Sequence, residues 1–413
     1  YTLGELLTAV RGNWEGYERM RLEAIACPGW GDGCGESNAF AGRFHTDLYN
    51  LLCGLRGVHG GRVHLGHMTY TEIRFWGGDL MAKVHDSMQN TRRDTEGGTG
   101  LVRHYKDGAI IGFVEVFVKA RMLLGNVSFC KKDILAWKPD VVILIDYPGF
   151  NFKIAEFAHK AGFKVFYYIA PKVWASREGR IKKLKAYVDK LFIVFPFEIP
   201  YFTKKGIPFI YKGNPLIDAV DGSRAMSETK QDFLTRNSLE DKPIIAMLAG
   251  SRKGEISTMM PVLTEFASKM RAIPQYTDYQ FIIGGAPART MSDYEPWLTE
   301  ENRKYIHVLF GETQSIIRHA EAAVVNSGTA SLETVLFNTP QVVGYIGNPL
   351  TYQIAKRIVK LKYISLGNLI IDKGAFKEFI QDDCNPDMIL SEIRALLEDS
   401  GYRSKMLSDY ADI

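Results

Sequence analysis

The sequence predicts an α/β protein built from two doubly wound parallel sheets. Short, continuous runs of β-branched and aromatic residues recur along the chain, as in strands that are buried on both faces. Segments with apolar residues at helical spacing separate these runs, and this alternation is typical of parallel sheets. A polar stretch at 221–241 divides the runs into two series. The simplest architecture is therefore two successive sheets, with ligands at the carboxyl ends of strands that face a cleft.

The composition narrows the class of protein. The chain has 413 residues, of which 46% are hydrophobic and 24% charged, as expected for a globular protein of two or three domains. A net charge of +4 is only mildly basic, so no nucleic-acid partner is expected. The five cysteines are few and mostly far apart, which predicts the reduced thiols of a cytosolic protein. No apolar run reaches the length of a membrane-spanning helix, and the charged residues throughout 1–23 do not resemble a signal peptide.

The first series of elements becomes legible after a glycine-rich start. Residues 1–70 show no strong strand period, so no element is predicted there. A short strand begins at Ile73, and the polar residues 86–100 predict a loop. Apolar positions in 109–127 predict a helix, which is either a core helix or one whose apolar surface rests on a bilayer.

A buried parallel strand is predicted at VVILID, residues 141–146, and it ends at Asp146. A turn and an amphipathic helix closed by Gly162 follow it. The remaining predicted strands lie in 164–171, 190–198, 208–213, 243–252, 279–287, 304–312, 322–328 and 341–345. Asp146 lies where a strand meets the expected cleft, so its carboxylate is either a general base toward a sugar hydroxyl or a helix cap.

The stretch AAVVNSGTASLETVLFNTPQVVGY, residues 322–345, predicts a strand, a tight turn, a helix and a strand. The first N–H groups of such a helix lack intrahelical partners and suit an anion such as a diphosphate. Gly328 permits close approach of a ligand, and the hydroxyls of Ser327 and Thr329 can cap the helix or bond a phosphate oxygen. Glu333, one turn inside the helix, could accept hydrogen bonds from a ribose diol. The alternative is an ordinary capped helix.

A second polar loop follows the first strand of the second series. In LAGSR, residues 248–252, Gly250 and Ser251 offer their backbone, and Arg252 offers a fork of donors that matches a phosphate. Together with the turn at Ser327, this loop predicts a diphosphate clamp, unless Arg252 forms a structural salt bridge instead. The chain contains no Asp-x-Asp pair, so no metal site is expected.

A basic run follows Trp174. Such a run is either a solvated helix face or a surface for a phosphorylated lipid or an anionic membrane. Its cations are Arg177, Arg180, Lys182, Lys183, Lys185 and Lys190.

Several long motifs occur in a fixed order: IDYPGFN at 145–151, YYIAPKVWASREGRIKKL at 167–184, FPFEIPYF at 195–202, KGNPLIDAV at 212–220, LAGSR, NSGTASLE, and NPLTYQIAKRIVKLKYISLGNLI at 348–370. From about Arg74 onward, the chain resembles the bacterial lipid-A-disaccharide synthase family. The resemblance implies a GT-B-like fold of two Rossmann-like doubly wound domains. It predicts an acceptor- and membrane-facing domain at 1–213 with an atypical segment at 1–70, a UDP-sugar domain at 214–372, and helices at 373–413 that return toward the first domain.

The resemblance also implies an activity and its residues. Family members transfer 2,3-diacylglucosamine from UDP to the 6-hydroxyl of 2,3-diacylglucosamine 1-phosphate (lipid X), with inversion and release of UDP, and without a cofactor. Asp146 is then the candidate base and Arg252 a required diphosphate contact. The candidate UDP-sugar residues are Gly250, Ser251, Arg252, Asn326, Ser327, Gly328, Thr329, Glu333 and Asn368. Trp174 and the basic run are candidates for acceptor or membrane contact, and the implied state is a homodimer that is cytoplasmic and peripheral on the inner membrane.

Two alternatives remain open at the level of sequence. In the first loop only Gly35-Glu36-Ser37 matches the family pattern, which motivates the hypothesis of an inactive UDP-binding remnant. The second alternative is another GT-B enzyme, such as a UDP-GlcNAc epimerase or a transferase with a soluble acceptor. A nicotinamide dehydrogenase is disfavoured, because no Gly-x-Gly-x-x-Gly follows a strand near the start of either sheet.

Overall fold

The computed structural model describes residues 19–25, 70–77, 99–104, 115–139, 141–145, 148–174, 178–287, 289–347 and 362–413. The chain divides into two compact units, the first ending at Pro215 and the second continuing from Leu216. Each unit contains a sheet whose neighbouring strands run parallel. The predicted α/β architecture with two parallel sheets is therefore confirmed.

In the described part of the first unit, the strand order is β3-β2-β1-β4-β5-β6-β7. The strands are β1 (Arg19–Ile25), β2 (Tyr70–Gly77), β3 (Thr99–His104), β4 (Val141–Ile145), β5 (Lys164–Tyr168), β6 (Lys190–Ile193) and β7 (Ile210–Tyr211). The helices are α1 (Glu115–Trp137), α2 (Pro148–Lys160), α3 (Ile181–Tyr187) and α4 (Glu198–Lys204), and a 3₁₀ turn spans Glu178–Arg180. All five residues of β4 are buried, as its unbroken apolar run predicted.

Strands β1 and β3 differ from the sequence prediction. Strand β1 lies in the segment for which no element was predicted, and β3 begins inside the predicted loop 86–100. The sequence of β1, RMRLEAI, alternates charged and apolar residues. Such period-two alternation is a strand signal, but it is weaker than the continuous apolar runs that mark the other strands.

Helix α1 also differs from its predicted bounds of 109–127. It continues to Trp137, while residues 105–114 lie outside the described part of the chain. Cys130 and Ile134 are fully buried and lie four residues apart on one helix face. Charged residues stand between these two positions and obscure the helical spacing. The predicted helix therefore ended before the last buried positions of the observed one.

In the second unit, the described strands are ordered β10-β9-β8-β11-β12-β13. They are β8 (Ile244–Leu248), β9 (Gln280–Gly285), β10 (Ile306–Phe310), β11 (Ala322–Asn326), β12 (Gln341–Tyr345) and β13 (Glu378–Ile380). The helices are α5 (Pro215–Asp221), α6 (Arg224–Ser227), α7 (Lys230–Arg236), α8 (Lys253–Arg271), α9 (Thr313–His319), α10 (Thr329–Leu336), α11 (Leu366–Ile371), α12 (Pro386–Glu398) and α13 (Ser400–Tyr410). Short 3₁₀ turns span Pro274–Tyr276, Met291–Asp293, Glu295–Trp297, Asn302–Lys304 and Gln381–Asp383.

Both faces of the second sheet are covered by apolar clusters. Helix α8 buries Ile256, Met259 and Leu263 against one face, and Phe233 of α7 packs on the other. Helix α7 lies in the polar stretch 221–241, so that stretch is a packed helical segment of this unit.

The carboxyl-terminal helices also belong to the core of the second unit. Helix α12 buries Ile389 and Ile393 in the same cluster as α8, and Lys269 pairs with Asp387 at 2.7 Å. The three-residue strand β13 was too short to predict. The expected return of residues 373–413 toward the first domain stays a prediction.

Candidate functional site

The strand order of the second sheet reverses between β8 and β11. In a doubly wound sheet, the chains leaving two such strands turn to opposite faces and open a crevice at their carboxyl ends. Leu248 and Val325 are paired across these strands, so the loops that follow them start side by side. These are the loops 249–252 and 327–328, which the sequence singled out independently.

Gly250 packs closely against the end of β11. Its φ is +99°, in the left-handed region that favours glycine. A Cβ built on Gly250 would lie 2.5 Å from Asn326 Nδ2 and 2.8 Å from Glu255 Oε2, which is too close for any side chain. Asn326, the last residue of β11, is itself buried. Asn326 and Glu255 therefore both pack closely against the backbone of Gly250.

Glu255 covers the amino terminus of helix α8. The N–H groups of Ser251 and Arg252 donate to its Oε2 at 3.0 and 3.1 Å, and Arg252 Nη1 donates to Oε1 at 2.6 Å. The Arg252 side chain is 83% exposed, whereas that of Glu255 is 19% exposed. One carboxylate thus holds the Ser251 N–H and the Arg252 guanidinium that were predicted to bind a diphosphate, together with the Arg252 N–H, which was not predicted. Glu255 was not predicted from the sequence, although an acidic residue at the third position of a helix commonly reaches back to its start.

A second arginine, also missed from sequence, lies at the same edge of the sheet. Arg289 follows β9, and its Nε donates to the carbonyl oxygen of Ser251 at 3.1 Å. The preceding loop is held by Tyr294, whose hydroxyl oxygen accepts the N–H of Ala286 at 2.9 Å. Burial raises the pKa of Tyr294, so the phenol stays neutral at pH 7. The sequence could have indicated Arg289, because it is the first basic residue after β9, the strand that neighbours β8.

Helix α10 begins differently from α8, because Gly328 provides no side-chain cap. The backbone at Gly328 is extended, and a Cβ built there would meet nothing closer than the carbonyl oxygen of Asn326 at 4.0 Å. Ser327 Oγ donates to the carbonyl oxygen of Ile364 at 3.5 Å, the limit of a hydrogen bond. Among the described residues, no side chain therefore caps the positive end of α10 beside Gly328, and Thr329 is its first residue.

Glu333 and Asn368 have partners within the protein. Glu333 is fully buried, and its Oε1 accepts from Gln314 Nε2 at 2.7 Å, so a ribose contact requires that this carboxylate become accessible. Asn368 is also fully buried. Its Nδ2 donates to the Phe376 carbonyl oxygen and to Glu378 Oε1 at 2.9 and 2.8 Å. The UDP contacts of both residues stay predictions.

Asp146 and Arg177 lie outside the described residues. Asp146 directly follows β4, the strand beside β1 at which the order of the first sheet reverses. Its role as the base stays a prediction.

Trp174 belongs to a buried hydrogen-bonded cluster in the first unit. Its Nε1 donates to Glu198 Oε1 at 3.0 Å, and the N–H groups of Val194 and Phe195 donate to Oε2, each at 3.0 Å. Burial raises the pKa of the Glu198 carboxyl group. The Trp174 ring also meets the Phe197 ring edge-on, with centroids 4.7 Å apart. These contacts give Trp174 a structural role.

Three lysines of the basic run lie on the outer face of α3, whereas Arg180 ends the preceding 3₁₀ turn and Lys190 begins β6. Ile181 and Leu184 are the buried residues of this helix. Lys182, Lys183 and Lys185 are exposed. Lys183 Nζ lies 3.5 Å from Glu156, and the Arg180 guanidinium lies over the Phe152 ring at 5.5 Å.

The described residues contain no group of three or more His, Cys, Asp or Glu side chains placed to hold a metal ion. In the same part of the chain, no helix is both long and apolar enough to cross a membrane.

Comparisons with known proteins identify the family. A family model described as lipid-A-disaccharide synthetase matches residues 90–411. The lipid-A-disaccharide synthase of Trichlorobacter lovleyi is 36% identical over 313 residues, which are 76% of this chain and 80% of that protein. A lipid-A-disaccharide synthase of Coxiella burnetii is 34% identical over 316 residues, covering 76% of this chain and 82% of the relative.

Solved structures agree on the fold. The S. aureus MnaA–UDP co-structure matches with a TM-score of 0.59 at 13% identity, covering 94% of this chain and 91% of that chain. The UDP-GlcNAc 2-epimerase from Neisseria meningitidis bound to UDP-GlcNAc matches with a TM-score of 0.54 at 13% identity, covering 95% and 96%. At this identity the likeness establishes the fold alone, which is of the GT-B type. The family model and the curated relatives go further, and the chain belongs to the lipid-A-disaccharide synthase family of glycosyltransferases.

Proposed function

We propose that the protein transfers a 2,3-diacylglucosamine unit from UDP to the 6-hydroxyl of 2,3-diacylglucosamine 1-phosphate and releases UDP. The observation that carries the proposal is the pair of loops where the second sheet reverses, at the open start of α10 and beside Arg252 and Arg289. In a member of this family, such a convergence of backbone donors and cations suits the diphosphate of the UDP-sugar.

The donor is assigned to the second unit. The diphosphate would lie against the first N–H groups of α10, where Gly328 leaves room for its oxygens. The hydroxyls of Ser327 and Thr329 lie at the same turn and can bond a phosphate oxygen. Gly250, Ser251 and Asn326 shape the adjacent loop, and we keep Glu333 and Asn368 as candidate nucleoside contacts.

The chemistry is a single displacement. The 6-hydroxyl oxygen of the acceptor attacks the anomeric carbon, the bond from that carbon to the diphosphate oxygen breaks, and UDP leaves with the electron pair. Asp146 is assigned as the base that takes the hydroxyl proton. Arg252 stabilises the negative charge that develops on the leaving diphosphate. One displacement converts the α-linked donor into a β-1,6 disaccharide.

The acceptor and the membrane are assigned to the first unit. The exposed lysines of α3 can attract anionic headgroups, at about 1 kcal/mol for each cation near a charged surface. We assign the protein to the inner-membrane surface as a peripheral homodimer. Vesicle sedimentation would check the first assignment: Lys182→Glu and Lys185→Glu should each reduce binding to anionic vesicles and leave binding to neutral vesicles unchanged.

The activity is tested by measuring UDP released from the diacylated UDP-glucosamine donor, with and without acceptor, in detergent and a chelator. Acceptor-dependent release supports the proposal. Asp146→Ala and Arg252→Ala should each fold normally and lose most turnover, and near-normal rates in either variant would remove that residue from the mechanism. A protein that UDP stabilises against heat but that releases no UDP from the donor would instead be a UDP-binding remnant.

A further inference from the structure

We propose that Glu255 is a built-in competitor of the substrate diphosphate, which occupies the phosphate-binding donors until nucleotide displaces it and reoccupies them when UDP leaves. This inference rests on the proposed function, because it assigns a role to a residue of the same site.

The contacts of Glu255 are those that a phosphate group would make. Two consecutive backbone N–H groups, of Ser251 and Arg252, converge on one carboxylate oxygen, and the Arg252 guanidinium takes the other. Backbone donors at a helix start combined with an arginine fork are a common phosphate-binding set. These N–H groups cannot make full hydrogen bonds to the carboxylate and to a diphosphate at the same time.

The loop is shaped to admit this carboxylate. A Cβ on Gly250 would lie 2.8 Å from both Cβ and Oε2 of Glu255. Any residue other than glycine would therefore push Glu255 off the loop. The absence of a side chain at Gly250 thus lets an anion of the protein itself approach the backbone, as glycine does for bound phosphates.

The exchange needs little rearrangement of the surroundings. The Arg252 side chain is 83% exposed, so its release from Glu255 leaves it in water. If Glu255 swings away, nucleotide binding must include the free energy of breaking its three contacts. If it stays, its charge repels the diphosphate. Both cases weaken UDP binding. In the first case, the affinity falls by the factor by which the form with Glu255 displaced is depopulated. In the second case, the affinity falls because of the repulsion.

Weaker binding of UDP serves turnover, because the product carries the same diphosphate as the donor. When the Glu255 carboxylate returns to the N–H groups of Ser251 and Arg252 as UDP departs, it lowers the affinity for UDP and limits product inhibition. The donor substrate also carries a sugar and acyl chains, which can supply affinity that does not depend on these N–H groups.

The test measures UDP and uridine affinity by calorimetry in the full-length wild type and in Glu255→Gln. Glutamine keeps the shape, but it is uncharged, and its amide N–H groups cannot accept from Arg252. We expect UDP to bind about tenfold more tightly, equivalent to about 1.4 kcal/mol, and the inhibition constant for UDP to fall by a similar factor. Uridine, which lacks phosphates, should bind with unchanged affinity.

The matched control is Glu265→Gln on the same helix. Glu265 is 58% exposed and pairs with Lys269, so this variant removes the same charge about 15 Å away along the helix axis. Equal tightening in the control would attribute the effect to net charge and overturn the proposal. Unchanged or weaker UDP binding in Glu255→Gln would also overturn it.

A second variant covers the case in which Glu255→Gln does not fold. Glu255→Asp keeps a carboxylate that can cap the helix, as Asp232 does at Thr229, but it is too short to reach Arg252 as well. It should bind UDP more tightly than the wild type does. If Glu255→Gln folds, the affinity of Glu255→Asp should lie between those of the wild type and Glu255→Gln. No tightening in this variant contradicts the proposal. Absence of UDP binding in the wild type would refute the proposed function itself.

Discussion

Gly328→Ala separates a binding role of glycine from a structural one. The backbone at Gly328 is extended, with φ 169° and ψ −160°, and alanine can adopt this conformation. The added methyl group meets no atom closer than 4.0 Å. Loss of unfolded-state freedom stabilises such a variant by about 0.4–1 kcal/mol, while the poorer capping by alanine destabilises it by a similar amount. The free energy of unfolding should therefore change by less than about 1 kcal/mol.

UDP binding should respond much more strongly to the same methyl group. If the diphosphate approaches the first N–H groups of α10, the methyl group lies in its path and lengthens at least one charge-assisted hydrogen bond. Loss of one such bond corresponds to about 1.5–3 kcal/mol, or roughly a 10- to 150-fold weaker UDP affinity. Calorimetry with UDP and thermal melts with and without UDP measure both quantities.

Gly250→Ala is the contrasting variant. Its φ of +99° is strained for alanine, and the new Cβ would lie 2.5 Å from Asn326 Nδ2. Strain of this kind destabilises by about 1–3 kcal/mol, so the melting temperature should fall even without ligand. A Gly328→Ala protein that is stable and binds UDP with wild-type affinity would refute the close approach of the diphosphate to this turn.

Three further outcomes are expected. Arg289→Ala should weaken UDP binding about tenfold by calorimetry, whereas Arg303→Ala, which removes an exposed cation paired with a glutamate, should not. Glu198→Ala leaves two buried N–H groups and the half-buried Trp174 indole N–H without their acceptor, and it should lower the free energy of unfolding in urea by about 3 kcal/mol; a loss below about 1 kcal/mol would show that the cluster around Trp174 is dispensable. Burial lowers the pKa of His319 in the folded state, so the folded protein binds fewer protons than the unfolded chain, and the stability present above pH 6.5 is lost as pH falls through the folded pKa. Thermal melts at pH 7.5 and 5.5 should show this loss in the wild type and a smaller loss in His319→Gln, and equal losses would contradict it.

The sequence predicted the fold where strands are buried on both faces. The runs at β4, β8 and β11 are unbroken apolar segments of strand length, and their burial in the structure explains why. Strand β1 alternates charged and apolar residues, and β13 has three residues, so neither gives such a run. The extent of α1 was also underestimated, because charged residues stand between the apolar positions of its buried face.

The loops of the candidate site were predictable, but their internal contacts were not. Two strand ends with glycine and hydroxyl residues are visible in the sequence, and the parallel topology brings them together. That Glu255 rather than Arg252 covers the start of α8 depends on side-chain geometry. The contacts of Asn368 also depend on side-chain geometry. Its amide donates to Phe376 and Glu378, and the motif around Asn368 does not reveal these partners.

The most direct test of the donor-site assignment is a crystal structure of the protein with UDP. We expect the diphosphate at the start of α10, with an oxygen about 3 Å from a backbone nitrogen of its first turn, in contact with the Arg252 guanidinium. We also expect that Glu255 has left the N–H groups of Ser251 and Arg252. A diphosphate bound away from Gly328 and Arg252 would contradict the assignment of the donor site.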